Sequence, residues 1–276
     1  MYVSVWSNYF YGLGMTPEEK IDTMARCGLG HSELSSEDGA ELLGRGDPLK
    51  TGRAFREMAD DCGVRIPQGH LDLGADISLR ETVESLKAWL DLFLAIGVRA
   101  CVLHYGKGPL AGEAPELHIE ERARALRELT GHIAGSDACI CLENLRYPHD
   151  STCGALLSLI EAAGGEHLGI CLDTGHLNIA GGDPARFVTE AGPWLRALHI
   201  ADNEGAADQH MLPYGRGTVP WEPFLKALGA SGYDGLFNFE IPGETHVPME
   251  IRLAKLRYIL EMADYMARIG GFRLER

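Results

Sequence analysis

An alternation that runs from end to end is the strongest constraint on how this chain can fold. Short β-type runs recur eight times: YVSVW at 2–6, HSELS at 31–35, VRIPQGH at 64–70, RACVLH at 99–104, ACICLEN at 138–144, LGICLD at 168–173, LRALHI at 195–200 and LFNFEI at 236–241. Between them lie segments with apolar residues three and four apart, the period of an amphipathic helix. TPEEKIDTMARCG opens on the capping residue Thr16 with Pro17 in the first helical position, and it closes on Gly28. SLRETVESLKAWLDLFLAIG ends on Gly97, and DPARFVTEAG repeats the cap-then-proline opening at Asp183. A long amphipathic segment fills 247–270.

Eight strands, each followed by a helix, predict a (β/α)₈ TIM barrel, and 276 residues is slightly above the usual size of about 250. A doubly wound open sheet is the alternative. Against it, NYFYGLGMT after the first strand lacks the glycine spacing of a dinucleotide loop. No Pro-, Ser- or Gly-rich linker interrupts the pattern, so the expectation is a single domain over residues 1–276.

The balance of 45% apolar and 24% charged residues is that of a soluble globular protein. No stretch approaches the roughly 18 apolar residues of a membrane span. The opening MYVSVWSNYF has neither the basic start nor the apolar run of a secretory signal, so the expected location is the cytoplasm, without membrane contact. Seven cysteines form no CxxC pair, and several sit inside apolar runs as small hydrophobes. The formal charge of −15 works against non-specific nucleic-acid binding. A basic groove can hide inside an acidic total, so nucleic acid is a disfavoured partner and not an eliminated one.

In such a barrel the active site is built where strands open into their following loops. Strands three to eight finish in His70, His104, Glu143, Asp173, His199 and Glu240. One or two such residues read as capped turns; six at matching positions read as a site. Mixed carboxylate and imidazole ligation suits Mn²⁺ or Zn²⁺, with Co²⁺, Fe²⁺ and Mg²⁺ as further candidates. Cys101, Cys141 and Cys171 lie two or more residues inside the strand ends, which argues against thiolate ligands. Glu143 and Glu240, from non-adjacent strands, can serve as ligands and also exchange protons with a substrate from opposite sides. The loop after strand seven brings Asp202, Asp208 and His210 toward the same pocket, with Gly215 and Gly217 permitting close backbone approach. Substrate identity depends on loops such as 7–15 and 105–115.

Five motifs carry a resemblance: CLENL at 141–145, CLDTGHLNIAGGDP at 171–184, LHIADN at 198–203, DQHMLPYGRGTVPW at 208–221 and FNFEIPGE at 237–244. With these the chain resembles the xylose isomerase-like barrel superfamily, which joins sugar isomerases and epimerases with endonuclease IV. The epimerase branch implies one divalent metal on Glu143, Asp173, His199 and Glu240, both glutamates as the acid–base pair, and a substrate contact from His176. Endonuclease IV implies a larger ligand set at His70, His104, Glu143, Asp173, His176, His199, Asp208, His210 and Glu240. All nine residue types are present. The chain departs from the DNA enzyme in reading ADN after His199, in a gap between His210 and Gly215 one residue longer, and in lacking its N-terminal histidine motif.

The expected function is a divalent-metal sugar or sugar-phosphate isomerase or epimerase. A metal-held enediolate would pass one proton between the two glutamates, with His70, His176 and His210 holding sugar hydroxyls. The alternatives are a multi-metal phosphoesterase, a sugar-acid lyase or dehydratase on the same site, and a barrel that only binds its ligand. Homo-oligomerisation is an expectation from the resemblance alone.

Overall fold

A computed structural model describes residues 1–106, 115–147, 151–243 and 246–276 of the chain. All eight expected strands are present: β1 Tyr2–Trp6, β2 His31–Leu34, β3 Arg65–His70, β4 Ala100–Leu103, β5 Cys139–Glu143, β6 Leu168–Asp173, β7 Leu195–His199 and β8 Leu236–Phe239. They form one parallel sheet in the order β7-β6-β5-β4-β3-β2-β1-β8. The two ends of that sheet meet at Ile200, whose N–H donates to Asn238 O at 2.8 Å and whose carbonyl accepts from Glu240 N at 3.2 Å. Those two bonds close the barrel.

The helices are α1 Pro17–Arg26, α2 Ser36–Leu43, α3 Pro48–Asp61, α4 Arg80–Ile96, α5 Pro115–His132, α6 Cys153–Ala163, α7 Thr174–Ile179, α8 Pro184–Ala191, α9 Trp221–Ser231 and α10 Met249–Gly270. The one-helix-per-strand expectation therefore fails twice, because β2 and β6 are each followed by two. The cause is local capping. Ser35 Oγ accepts from Asp38 N and starts α2, while Asp47 Oδ1 accepts from Lys50 N and starts α3 with Pro48 behind it. The signals read in the sequence act as expected at α1, where Thr16 and Glu19 form a reciprocal capping box, and at Gly97, which ends α4 at φ 99°.

Most of the core lies between sheet and helices, with side chains such as Phe10, Leu34, Phe93, Leu126, Phe224 and Phe237 out of contact with water. A second, smaller cluster of Ala100, Val102, Cys141, Cys171 and Ala197 comes from β4 to β7. Side chains along a strand alternate faces with period two. These residues therefore share a face with Glu143, Asp173 and His199 and form the layer beneath them. On the opposite side of the barrel that layer is polar: Ser4, Glu33, Gln68 and Asn238, each at most 1% exposed. No helix among the described residues is long and apolar enough to cross a membrane.

Candidate metal centre and active site

The strand-end residues converge at one mouth. Glu143, Asp173, His199 and Glu240 each place a ligand atom within 4.8 Å of the others, and all four are buried. His70, His104 and Glu143 form a second such group sharing Glu143. The asymmetry of the first group is informative. Asp173 Oδ1 accepts the His176 N–H at 2.6 Å and starts α7, while Asp173 Oδ2 is buried without a hydrogen-bond partner among the described residues. His199 Nδ1 is buried and unpartnered in the same way. It lies 3.4 Å from both Glu143 Oε1 and Glu240 Oε2, and 3.9 Å from Asp173 Oδ2. Burying such groups without a partner is costly, and a cation between them would satisfy both. The donor set of three carboxylates and one imidazole fits a divalent metal.

The remaining histidines repeat one geometry. His70 Nδ1 lies 2.8 Å from Leu71 O, His176 Nδ1 3.1 Å from Asn144 O, and His210 Nδ1 2.7 Å from Glu240 O. A carbonyl only accepts, so each Nδ1 carries the hydrogen. Each Nε2 then faces a carboxylate: Glu143 Oε2 at 3.2 Å from His70, Asp208 Oδ2 at 3.1 Å from His176 and Asp208 Oδ1 at 3.3 Å from His210. His104 Nε2 adds a contact of 3.0 Å to Glu143 Oε2. A neutral imidazole would turn its lone pair onto an anion at each of the three places. The arrangement requires a proton or a metal ion there. His210 holds its position with a left-handed backbone, φ 44°, which an L-residue adopts only when its surroundings impose it.

The electrostatics follow. Burial pushes His210 down, but its bond to Asp208 and the charges of Glu240 and Asp173 outweigh this and raise it to about 10. His199 and His176 also lie well above the ordinary imidazole value, their anionic neighbours overcoming burial. The two glutamates are driven apart. Burial raises Glu143, yet His104 and His199 hold it well below the carboxylate range. Burial, with Glu143 and Asp173 nearby, lifts Glu240 to about 7 against the pull of His199 and His210.

The scaffold around these residues explains their placement. Asn144 exchanges two hydrogen bonds with the Asp173 backbone, tying the ends of β5 and β6 together. Thr174 Oγ1 donates to Ala201 O at 2.7 Å and Asn203 Nδ2 to Gly175 O at 2.8 Å, which fastens α7 beneath the loop after β7. His176 thus sits on a short helix, and its ring turns into the mouth. Asp202, expected with the pocket residues, is a scaffold residue. It is 1% exposed and accepts from Asn203 N, Val219 N and Trp221 Nε1. Gly217 packs so closely on it that a Cβ there would lie 2.1 Å from Asp202 Cγ. Gly215 makes no comparable approach.

Two cavities of about 500 Å³ flank the centre. One is lined by His104, His176, Asp208, Asp76, Arg146 and Tyr147, the other by His210, Tyr9, Tyr11, Ile241 and Lys255. Of the loops expected to decide the substrate, 7–15 supplies Tyr9 and Tyr11, and residues 107–114 of the second lie outside the described residues. The sequence reading passed over Glu33, whose carboxylate accepts from His199 Nε2 at 2.9 Å, and Trp6, whose ring stacks on His210. An acid inside the strand-like run HSEL was the available signal for Glu33.

The sequence profile of the xylose isomerase-like TIM barrel matches residues 21–269. The chain belongs to that family. Among similar proteins, an uncharacterised protein of Sinorhizobium fredii is 30% identical over 196 residues, 70% of this chain and 59% of its own length. D-psicose 3-epimerase of Enterocloster bolteae is 33% identical over 195 residues, 66% of this chain and 63% of its own. A probable endonuclease 4 of Streptomyces coelicolor is 29% identical over 203 residues, 65% of this chain and 68% of its own. The chain therefore spans about three fifths of the first two relatives. The solved structure of a D-tagatose 3-epimerase-like protein superposes with a TM-score of 0.79 at 21% identity, over 98% of both chains, which is a likeness of fold.

Proposed function

We propose that the chain is a divalent-metal-dependent isomerase or epimerase of carbohydrate metabolism, acting on a sugar or sugar phosphate. One observation carries the reading: Glu143, Asp173, His199 and Glu240 present four buried ligand atoms within 4.8 Å of one another, two of them with no hydrogen-bond partner among the described residues. The names of the epimerase relatives support the substrate class. A bound cation would supply Lewis acidity, lowering the pKa of the C–H beside a coordinated carbonyl.

The chain's own groups supply the rest. Two carboxylates of unlike proton affinity facing one point are the arrangement that moves a proton on and off carbon. Glu143 and Glu240, which reach the cluster from the ends of β5 and β8, are the pair that takes a proton from carbon and returns it. His176 and His210 line the flanking cavities, within reach of a sugar held there. Elemental analysis combined with a ketose and sugar-phosphate panel in D₂O tests this. One metal per chain with solvent deuterium entering the sugar supports it; loss of water from a sugar acid would place a lyase on the same residues.

A multi-metal phosphoesterase is the second reading. The observation favouring it is the pair of additional histidine–carboxylate sets, His70 with His104 on Glu143, and His176 with His210 on Asp208. Two or three metals per chain together with cleavage at abasic sites in DNA would establish it.

A further inference from the structure

Glu33 lies on β2, one layer below the strand ends, and is 0% exposed. A glutamate is almost never buried to that degree without a partner of opposite charge. Among the described residues no lysine or arginine pairs with it; its one ionisable partner is His199. The His199 Nε2–H donates to Glu33 Oε1 at 2.9 Å. Asn238 Nδ2 donates to Glu33 Oε2, and Ser4 Oγ donates to Asn238 Oδ1 at 2.8 Å. The relay Ser4–Asn238–Glu33–His199 thus links β1, β8, β2 and β7 across the barrel. It ends on the imidazole whose other nitrogen faces Glu143, Glu240 and Asp173.

We infer that Glu33 is the positioning residue of the metal centre, holding His199 with Nδ1 turned to the metal and strengthening it as a ligand through the ring. The inference rests on His199 being a metal ligand, as proposed above. A carboxylate can only accept, so it fixes the hydrogen on Nε2 and leaves Nδ1 as the nitrogen that faces the cluster. An anion on the far side of a ligand imidazole makes that imidazole a better donor to a cation, and losing such a partner typically weakens metal affinity by about 10–100-fold. Asn238 donates to the second oxygen of the carboxylate and is itself held by Ser4, so neither partner swings free.

A purely structural role is the rival explanation, because among the described residues the Ile200 bonds are the backbone link between the ends of β7 and β8, and the relay also spans that seam. Glu33→Gln separates the two. Its amide oxygen still accepts from His199 Nε2–H, Asn238 turns its amide to accept from the new NH₂, and the Ser4 hydroxyl changes from donor to acceptor. Every hydrogen bond of the relay survives, and only the charge is removed. The expected result is a metal-free variant that melts within a few degrees of the wild type but binds Mn²⁺ or Zn²⁺ about 10–100-fold more weakly by calorimetry.

A second readout does not depend on metal. The His199 Nε2–H proton, bonded to a carboxylate, should give a far-downfield NMR signal in the metal-free wild type, and that signal should move upfield in Glu33→Gln. Unchanged metal affinity in a variant whose wild type binds metal overturns the inference and leaves the metal-centre reading standing. A wild type that binds no metal removes that reading, and the downfield signal then decides for Glu33 alone: if it is the same in both proteins, Glu33 does not position His199.

Discussion

Metal binding to this chain should expel protons, and their number is set by the geometry. In the metal-free protein His199 lies well above the ordinary imidazole value and Glu240 sits at about 7. Metal ligands must be deprotonated, so at pH 7 a cation on Glu143, Asp173, His199 and Glu240 displaces about one proton from His199 and half of one from Glu240, about 1.5 in all. If cations also enter between His176, His210 and Asp208, about two more leave, because those imidazoles are raised as well. Calorimetric titration of Zn²⁺ or Mn²⁺ in two buffers of unlike ionisation enthalpy reads the count directly. For the single site, the apparent affinity should fall about 30-fold per pH unit below 7, steepening as Glu240 becomes fully protonated. Tight binding with no proton release at pH 7 would refute the reasoning, since the histidines would then have been neutral beside their carboxylates.

The same groups fix how the stability of the metal-free protein responds to pH. Glu240 is raised from 4.5 to about 7, so the folded state binds more protons than the unfolded chain between those values. Its contribution is fully present below 4.5 and lost as pH rises through about 7. His210, raised from 6.5 to about 10, has the same sign above 6.5. Stability of the metal-free form should therefore decline from pH 5 to 8. The Glu240 share is at most about 3 kcal/mol, or about 5 °C in Tm for a chain of this length, with burial its largest cause. Saturating metal should flatten the profile, adding about 2.7 kcal/mol at a hundredfold excess over Kd.

Three further outcomes are expected. Glu143→Gln and Glu240→Gln should each lower the rate of deuterium entry into the substrate by roughly 10²–10⁴-fold, and near-normal rates in both would end the two-glutamate mechanism. His176→Ala should leave one metal per chain by elemental analysis if His176 holds only substrate, and should lower a higher wild-type stoichiometry if it is itself a ligand. Thr16→Ala removes the oxygen that accepts from Glu19 N in the α1 capping box and should lower stability by about 1 kcal/mol, read as about 2 °C in Tm.

The fold was legible because a parallel barrel repeats one instruction. Most strands are short runs rich in apolar residues, and each ends where its backbone turns outward, so a polar residue at that point is visible against apolar neighbours. His70, His104, Glu143, Asp173, His199 and Glu240 all announced themselves in this way. The signal weakens one layer down. Asn238 sits inside LFNF, which otherwise reads as buried β, and Glu33 in HSEL has polar neighbours, so neither stands out as a site residue. What distinguishes them is the company they keep across the barrel, at separations of 166 residues for Glu33 with His199 and 205 for Glu33 with Asn238. Such pairings follow from the order of strands around the barrel, with β1 between β2 and β8 and β7 meeting β8 at Ile200, which no local pattern encodes. Asp202 shows the reverse error. It belongs to a loop dense in polar residues beside His199, so proximity in sequence suggested the pocket, whereas Trp221 and the backbone of Val219 take up its oxygens. Side chains at strand ends share a destination because eight parallel strands point the same way. Residues of a loop share nothing but the chain, so each of them has to be placed by its own hydrogen bonds.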